Sequence, residues 1–341
     1  MIRLPRTAMV MHPVVREEVL LDHHIERLRT VCSLLGDIPC RTYEDIGAET
    51  AEVEVLITSW GCPRFHAKVV DRFPRLRLIA HLAGSVKGFI DEEVWRRGIQ
   101  VTNAVAAQAV PVAEFTLAAI LFANKRVFQL RDAYRHHRIL RDDSPLWKPW
   151  RGRGVEMGNY RKHVGIVGAS NVGRKVIELA RPFDLTLLVY DPYLTESEAL
   201  ELGAVKAGLA ELLSQSDVVT LHAPLLAQTR EMIGAGELAL MKDGATLINT
   251  ARGALVDQGA LTLELANRRL FALLDTTQPD DLPSDSPLFE SDNVILTPHI
   301  AGAQGREGER LADLVADELE RYRRGDALHH AVRLEHLPRL A

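Results

Sequence analysis

Short apolar runs alternate with amphipathic stretches along the first third of the chain. Thr7-Ala-Met-Val-Met11, Val53-Glu-Val-Leu-Ile-Thr58 and Leu76-Arg-Leu-Ile-Ala80 have the length and composition of strands. Glu17–Leu35 and Phe65–Arg72 read as helices between them. Strands separated by helical stretches predict a parallel sheet covered by helices. From Pro111 to His137 the pattern changes to good helix formers with an early proline and no internal breaker. This predicts one helix of roughly 25 residues, about twice the usual length, of the kind that links domains or forms a subunit seam. Asp142-Asp-Ser-Pro-Leu-Trp-Lys-Pro-Trp150 then reads as a surface excursion.

A second series begins at His163. Val164–Val167, Leu185–Tyr190, Val218–His222, Ala245–Asn249, Phe271–Asp275 and Val294–Thr297 are its expected strands, and Arg306–Arg323 is an amphipathic closing helix. The change of pattern suggests two α/β domains. A length of 341 residues with 47% hydrophobic and 26% charged positions is ample for two cores.

The net charge of −5 and the pI near 6.2 give no sign of a nucleic-acid surface or a polybasic membrane patch. No uninterrupted apolar run reaches the ~18 residues of a membrane span, and the longest candidate is Phe115–Phe122. The start lacks a secretory apolar core. Cys32, Cys40 and Cys62 are odd in number and without metal spacing. Reduced thiols in a cytoplasmic protein and no metal site are expected. The His23-His24, His136-His137 and His329-His330 pairs read as solvated helix or tail positions.

Chemistry enters at Gly168-Ala-Ser-Asn-Val-Gly173, which follows a strand and opens a helix. This is a GxGxxG dinucleotide turn with one change. The outer glycines serve the tight turn and the helix–strand approach, while the middle one, here Ser170, normally admits a pyrophosphate. The serine either sets the phosphates slightly further out or donates its hydroxyl to them. Asn171 and Val172 supply amides at the helix start. Asp191 ends the next strand, where an acidic residue hydrogen-bonds ribose hydroxyls and repels a 2′-phosphate. NAD is therefore the expected cofactor. A ligand-free turn, with Asp191 as a turn residue before Pro192, is the plainer alternative.

Three polar residues follow later apolar runs: Arg252 in Ile248–Asp257, Asp280 in Leu274–Asp280, and His299 in Val294–Gly302. A guanidinium can grip a carboxylate and the neighbouring oxygen of a small acid. Histidine can take the proton of a C2 hydroxyl as hydride leaves, and return it in reduction. A carboxylate beside the ring would orient it and favour its charged form. The bland alternatives are a salt-bridging arginine, a solvated aspartate and a structural histidine.

These stretches resemble the D-2-hydroxyacid dehydrogenase family, in its NAD-dependent, phosphoglycerate dehydrogenase-like form, over nearly the full chain. Val112-Ala-Glu114, Ala83–Asp91, Gly165–Gly173, Asn249–Asp257 and Thr297–Gly302 match its motifs in family order. The resemblance implies two doubly wound parallel-sheet domains. A Rossmann cofactor domain (110–304) would be inserted in a flavodoxin-like substrate domain (1–109 and 305–341), with catalysis in the cleft and the long helix contributing to a homodimer.

It also implies cofactor contacts from Thr250, Ala251, His222, Pro224 and Thr229, and places Asp275 near the nicotinamide carboxamide. The family's orienting Glu stands five positions after the Asp of its L-D-V segment. That position here is Asp280, one methylene shorter. Gly84, Ser85, Val86 and Lys87 fall in its substrate loop, where successive amides can cradle a carboxylate; Val86 replaces a usual glycine. Trp60 can wall the pocket or belong to the surface.

The expected function is interconversion of a D-2-hydroxy acid and a 2-oxo acid. A formate- or phosphite-type dehydrogenase and a dinucleotide-sensing binding protein with little turnover are the alternatives.

Overall fold

The computed structural model describes residues 3–138 and 157–339. The excursion expected at Asp142–Trp150 lies outside them. The chain divides into two compact units, one of Met1–Ala109 with Gly302–Ala341 and one of Val110–Ala301.

The first unit holds a five-stranded parallel sheet of β1 (Arg6–Val10), β2 (Ser33–Leu34), β3 (Val55–Thr58), β4 (Leu78–His81) and β5 (Gln100–Asn103), in the order β2-β1-β3-β4-β5. This is the flavodoxin-like order. Alternate strand residues point to opposite faces, so the sheet has a core on each side. Met9, Val55, Ile57, Leu78 and Ala80 pack one way, with Leu311, Val315 and Leu319 of the helix Glu309–Arg324. Ala8, Val10, Leu56, Ile79 and Val101 pack the other way, with Phe65 and Phe73. The returning C-terminal segment is fixed by buried Glu318, whose two carboxylate oxygens accept the amides of His329 (3.1 Å) and His330 (3.0 Å).

The second unit holds seven parallel strands: β6 (Lys162–Val167), β7 (Leu185–Tyr190), β8 (Val205–Lys206), β9 (Val218–Leu221), β10 (Thr246–Asn249), β11 (Phe271–Leu274) and β12 (Val294–Leu296). Their order is β12-β11-β10-β9-β6-β7-β8. From β8 to β11 this is the Rossmann order, extended by β12. The order reverses beside β6, where a doubly wound sheet opens a crevice at its carboxyl edge. The expected fold class therefore describes both units.

Two helical expectations need correction. The predicted Glu17–Leu35 helix is two, Pro13–Glu18 and Asp22–Val31, separated at Val19–Leu21. The long helix begins earlier and breaks in the middle, giving Val105–Asn124 and Val127–His137. Arg126 is left-handed at the break (φ 52°). Its guanidinium is held at the start of β10, donating to Thr246 Oγ1 (3.1 Å) and Gly244 O and lying 4.1 Å from the Phe271 ring centroid. A continued helix would carry it away from these partners.

The helix Val105–Asn124 is also long and apolar enough to cross a membrane by length and composition. Gln108 and Glu114 divide its apolar sequence, so no uninterrupted run in it reaches that length. Its residues Ala113, Ala119 and Ile120 are buried in the core of the second unit.

Candidate active site

The turn after β6 is shaped by close backbone approach. Gly168 has φ +99°, and a Cβ there would lie 2.6 Å from the amide nitrogen of Ala223. A Cβ on Gly173 would lie 2.0 Å from Gly168 O, so neither position admits a side chain. Ser170 is the N-cap of the helix Asn171–Ala180, and its hydroxyl accepts the Gly173 amide at 3.4 Å. The serine in the middle glycine position is thus a helix cap, the role for which serine is favoured. Among the described residues no acceptor is bonded to the amides of Ser170, Asn171 and Val172. Three free amides at the positive end of a ten-residue helix can receive an anion.

Asp191 braces this turn from the end of β7. One oxygen accepts the Ala169 amide and the other the Tyr193 amide, both at 2.8 Å. A carboxylate offers about four lone-pair sites, so ribose hydroxyls can still be accepted. His222 follows β9 and is buried, with Nε2 3.0 Å from Thr220 Oγ1 and Nδ1 without a partner among the described residues. Burial pushes its pKa down to about 3, which keeps the ring neutral. Thr229 closes the following loop, donating to Pro224 O (2.6 Å) and accepting from the Leu226 amide (2.8 Å).

The Arg252 turn is organised by Asn249, which sequence reading did not single out. The Asn249 side chain donates to Arg252 O (2.9 Å) and accepts from the Ala251 amide (3.0 Å). Thr250 is buried, its hydroxyl 3.0 Å from that of Thr116. Gly253 lies against the next crossing: a Cβ there would sit 1.9 Å from Thr277 O. Arg252 itself is exposed, donates to Ala251 O at 2.7 Å and forms no ion pair among the described residues. Its fork is available to a ligand.

His299 is exposed and left-handed at φ 55°. Few non-glycine residues adopt that conformation, which costs about 1–2 kcal/mol. Buried Asp275 holds it there. Asp275 Oδ1 accepts from Thr297 Oγ1 (2.6 Å) and the Ile300 amide (2.8 Å), and Oδ2 from the Ala301 amide (2.9 Å). Asp275 therefore fixes the turn that carries the histidine; the resemblance placed it near the nicotinamide, and its position at a strand end equally allowed a turn cap. The signal in sequence was an aspartate ending a strand beside a strand ending in Thr-Pro-His.

Arg252 and His299 follow β10 and β12, two strand spacings apart at about 10 Å along one sheet edge. Asp280 is exposed and makes neither a hydrogen bond nor an ion pair with His299. The structure brings Arg252 and His299 to one edge but does not bring the third residue to the imidazole.

The sequence profile of the family described as D-isomer specific 2-hydroxyacid dehydrogenase, NAD binding domain, matches residues 117–301, more than half of the chain. The chain belongs to the D-isomer specific 2-hydroxyacid dehydrogenase family. Membership of this family makes NAD its cofactor and puts it among NAD-dependent oxidoreductases. The chain is 34% identical over 261 residues to a glyoxylate reductase of Korarchaeum cryptofilum, covering 76% of itself and 77% of that protein. It is 30% identical over 299 residues to a D-3-phosphoglycerate dehydrogenase of Methanocaldococcus jannaschii, covering 87% of itself but only 55% of that longer protein. A crystal structure of a phosphoglycerate oxidoreductase from Rhizobium etli superposes with a TM-score of 0.81 at 23% identity, over 96% of this chain and 98% of that one, a likeness of fold.

In the first unit, the stretch Ala83–Asp91, which resembles the family's substrate loop, follows β4. Ser85 Oγ accepts the Lys87 amide at 3.1 Å. The amides of Gly84, Ser85 and Val86 have no bonded acceptor among the described residues, and none of the three residues is left-handed. Val86 turns its side chain into the core and is fully buried, while Lys87 is exposed. Trp60 is 46% exposed and lines a cleft of about 440 Å³ with His12, Val15, Val19 and Gln304. Buried His81 ends β4, with Nδ1 3.0 Å from Thr58 Oγ1; burial lowers its pKa to about 4.

Proposed function

We propose that the protein interconverts a small 2-oxo acid of the glyoxylate class and the corresponding D-2-hydroxy acid, using NAD. The observation that carries this reading is the imidazole of His299, held in a left-handed turn by three hydrogen bonds to Asp275 on the sheet edge that bears Arg252. Such strain at an exposed polar residue is typical of a functional position. The glyoxylate reductase similarity supports a small substrate.

The cofactor fit rests on the side-chain-free approach at Gly168 and Gly173 and on the free helix amides of Ser170, Asn171 and Val172. Those amides would hold the pyrophosphate and Asp191 the ribose hydroxyls. His222, Pro224, Thr229, Thr250, Ala251 and Asp275 belong to the loops that follow β9, β10 and β11 on the same edge. Bound NAD supplies the hydride acceptor or donor.

The remaining chemistry belongs to side chains. Arg252 binds the substrate carboxylate and the adjacent oxygen through its planar fork. His299 moves the proton of the C2 oxygen, as general base in oxidation and, protonated, as general acid in reduction. Gly84, Ser85 and Val86 offer a second set of amides for a carboxylate, with Lys87 adding positive charge and Trp60 an aromatic wall. Asp280 is assigned the orienting role, which requires its side chain to turn towards the ring.

A second reading draws on that same separation of Asp280 from His299: a dinucleotide-sensing protein with little turnover. NADH consumption with glyoxylate, lost in Arg252→Ala and His299→Ala, supports the enzyme. NADH binding without consumption supports the sensor.

We also propose a homodimer formed through the second unit, for which half-exposed Phe122 and Tyr134 offer apolar surface. A cytoplasmic location fits three free cysteines, of which Cys32 and Cys62 are made unreactive by burial that raises their pKa to about 11.

A further inference from the structure

The His23-His24 pair read as solvated in the sequence, and His24 is not. It is 1% exposed. Its Nδ1 accepts the Leu21 amide at 3.2 Å, so the ring proton sits on Nε2. That Nε2 is buried and has no hydrogen-bond partner among the described residues. It points towards the helix Glu309–Arg324, far away in sequence, where Asp313 Oδ1 lies 3.7 Å from it. His23 Nε2 lies 3.7 Å from Glu309 Oε2, and the two imidazole rings are 3.9 Å apart at their centroids. One ligand atom from each of His23, His24 and Glu309 falls within 4.8 Å of the other two. Glu309 and Asp313, four residues apart, share one helix face.

We propose that His23, His24 and Glu309, with Asp313 as a fourth donor, form a binding site for a divalent transition ion of the zinc class. Two imidazoles and two carboxylates suit Zn²⁺, whereas Mg²⁺ and Ca²⁺ take all-oxygen sets. Metal bonds of about 2.0–2.2 Å put tetrahedral ligand atoms about 3.4 Å apart, so the His23, His24 and Glu309 donors must draw in by up to about 1.4 Å. His23 is 59% exposed and can rotate to do so, and it leaves an entry path. Two carboxylates balance the charge of the ion. Asp313 also accepts from Arg27 Nη1 at 3.3 Å, an interaction the ion would share.

Binding at His24 Nε2 moves the ring proton to Nδ1, and the Leu21 amide gives up its acceptor. The ion would join the helix Asp22–Val31 to the helix Glu309–Arg324, two chain segments that meet only because the first unit is discontinuous. It is thus a structural clip.

The test titrates Zn²⁺ into the full-length protein, with competition against a chelating indicator, for wild type and for His23→Ala and Glu309→Gln. Both substitutions lie at partly exposed positions and spare buried His24. The expected result is a single site weakened at least tenfold by each change, with a Zn²⁺-dependent rise in unfolding temperature that both changes abolish. Long-range ¹H–¹⁵N spectra should show the His24 proton moving from Nε2 to Nδ1 with Zn²⁺. No binding, binding equal in wild type and variants, or an unmoved His24 tautomer would overturn the proposal.

Discussion

Asp275→Asn probes how His299, the proposed proton carrier, is held. The native carboxylate accepts three hydrogen bonds from the segment carrying His299, at 2.6, 2.8 and 2.9 Å. A carboxamide keeps an acceptor on one side only. If its oxygen retains Thr297 and Ile300, its NH₂ faces the Ala301 amide, donor against donor. Losing a buried bond to a charged acceptor costs about 1.5–3 kcal/mol. The left-handed conformation of His299 is itself uphill by about 1–2 kcal/mol, so the weakened turn relaxes. If the active geometry loses roughly 1.4–2.8 kcal/mol, kcat/KM falls about 10- to 100-fold. The assay is NADH consumption with glyoxylate, alongside urea unfolding to register the stability loss. Thr297→Val, which removes one of the three bonds, should fall between wild type and Asp275→Asn. An Asp275→Asn enzyme with native kcat/KM and a native pH–rate profile would refute the positioning role.

Gly253→Ala would drive a methyl to 1.9 Å from Thr277 O, a backbone clash. It should cost more than about 3 kcal/mol by urea unfolding or yield no folded protein, and native stability would contradict the crossing described. His81 and His222 are neutral in the fold, with pKa values lowered from 6.5 to about 4 and about 3. The unfolded chain binds protons below pH 6.5 while these rings do not, so their stability contribution is complete above 6.5 and falls with pH. Each should remove about 2 kcal/mol between pH 6.5 and pH 5, seen as a lower urea midpoint; His81→Gln should flatten the dependence. Asp280→Asn should lower kcat and shift the acid limb of the pH–rate profile, and an unchanged profile would dismiss it as the orienting carboxylate.

The strands were largely legible because buried parallel strands are continuous apolar runs, and Leu185–Tyr190 agrees at both ends. β2 and β8 are two-residue pairings too short to carry a pattern, and β5 reads Gln-Val-Thr-Asn, with one apolar residue in four. The break at Arg126 depends on partners at Gly244, Thr246 and Phe271, more than a hundred positions away, which no local propensity encodes. In the candidate site, the placement of Arg252, His299 and the nucleotide turn just after sheet strands was legible, because each lies in a short motif that follows an apolar run. The partners of their supports were not. Asn249 bonds a backbone carbonyl and an amide, Asp275 a hydroxyl and two amides, and the sequence does not say which groups such a side chain will meet. The Glu309 and Asp313 partners of His24 were likewise hidden by the long return of the chain.

The central claim is that Arg252 and His299 turn over a small 2-oxo acid with NADH. Its most direct test is steady-state NADH oxidation across glyoxylate and larger 2-oxo acids, in wild type and in His299→Ala. The expected result is turnover with the smallest acids, reduced about 10²- to 10⁴-fold by His299→Ala. NADH oxidation no faster in wild type than in His299→Ala, with every acid, would contradict it.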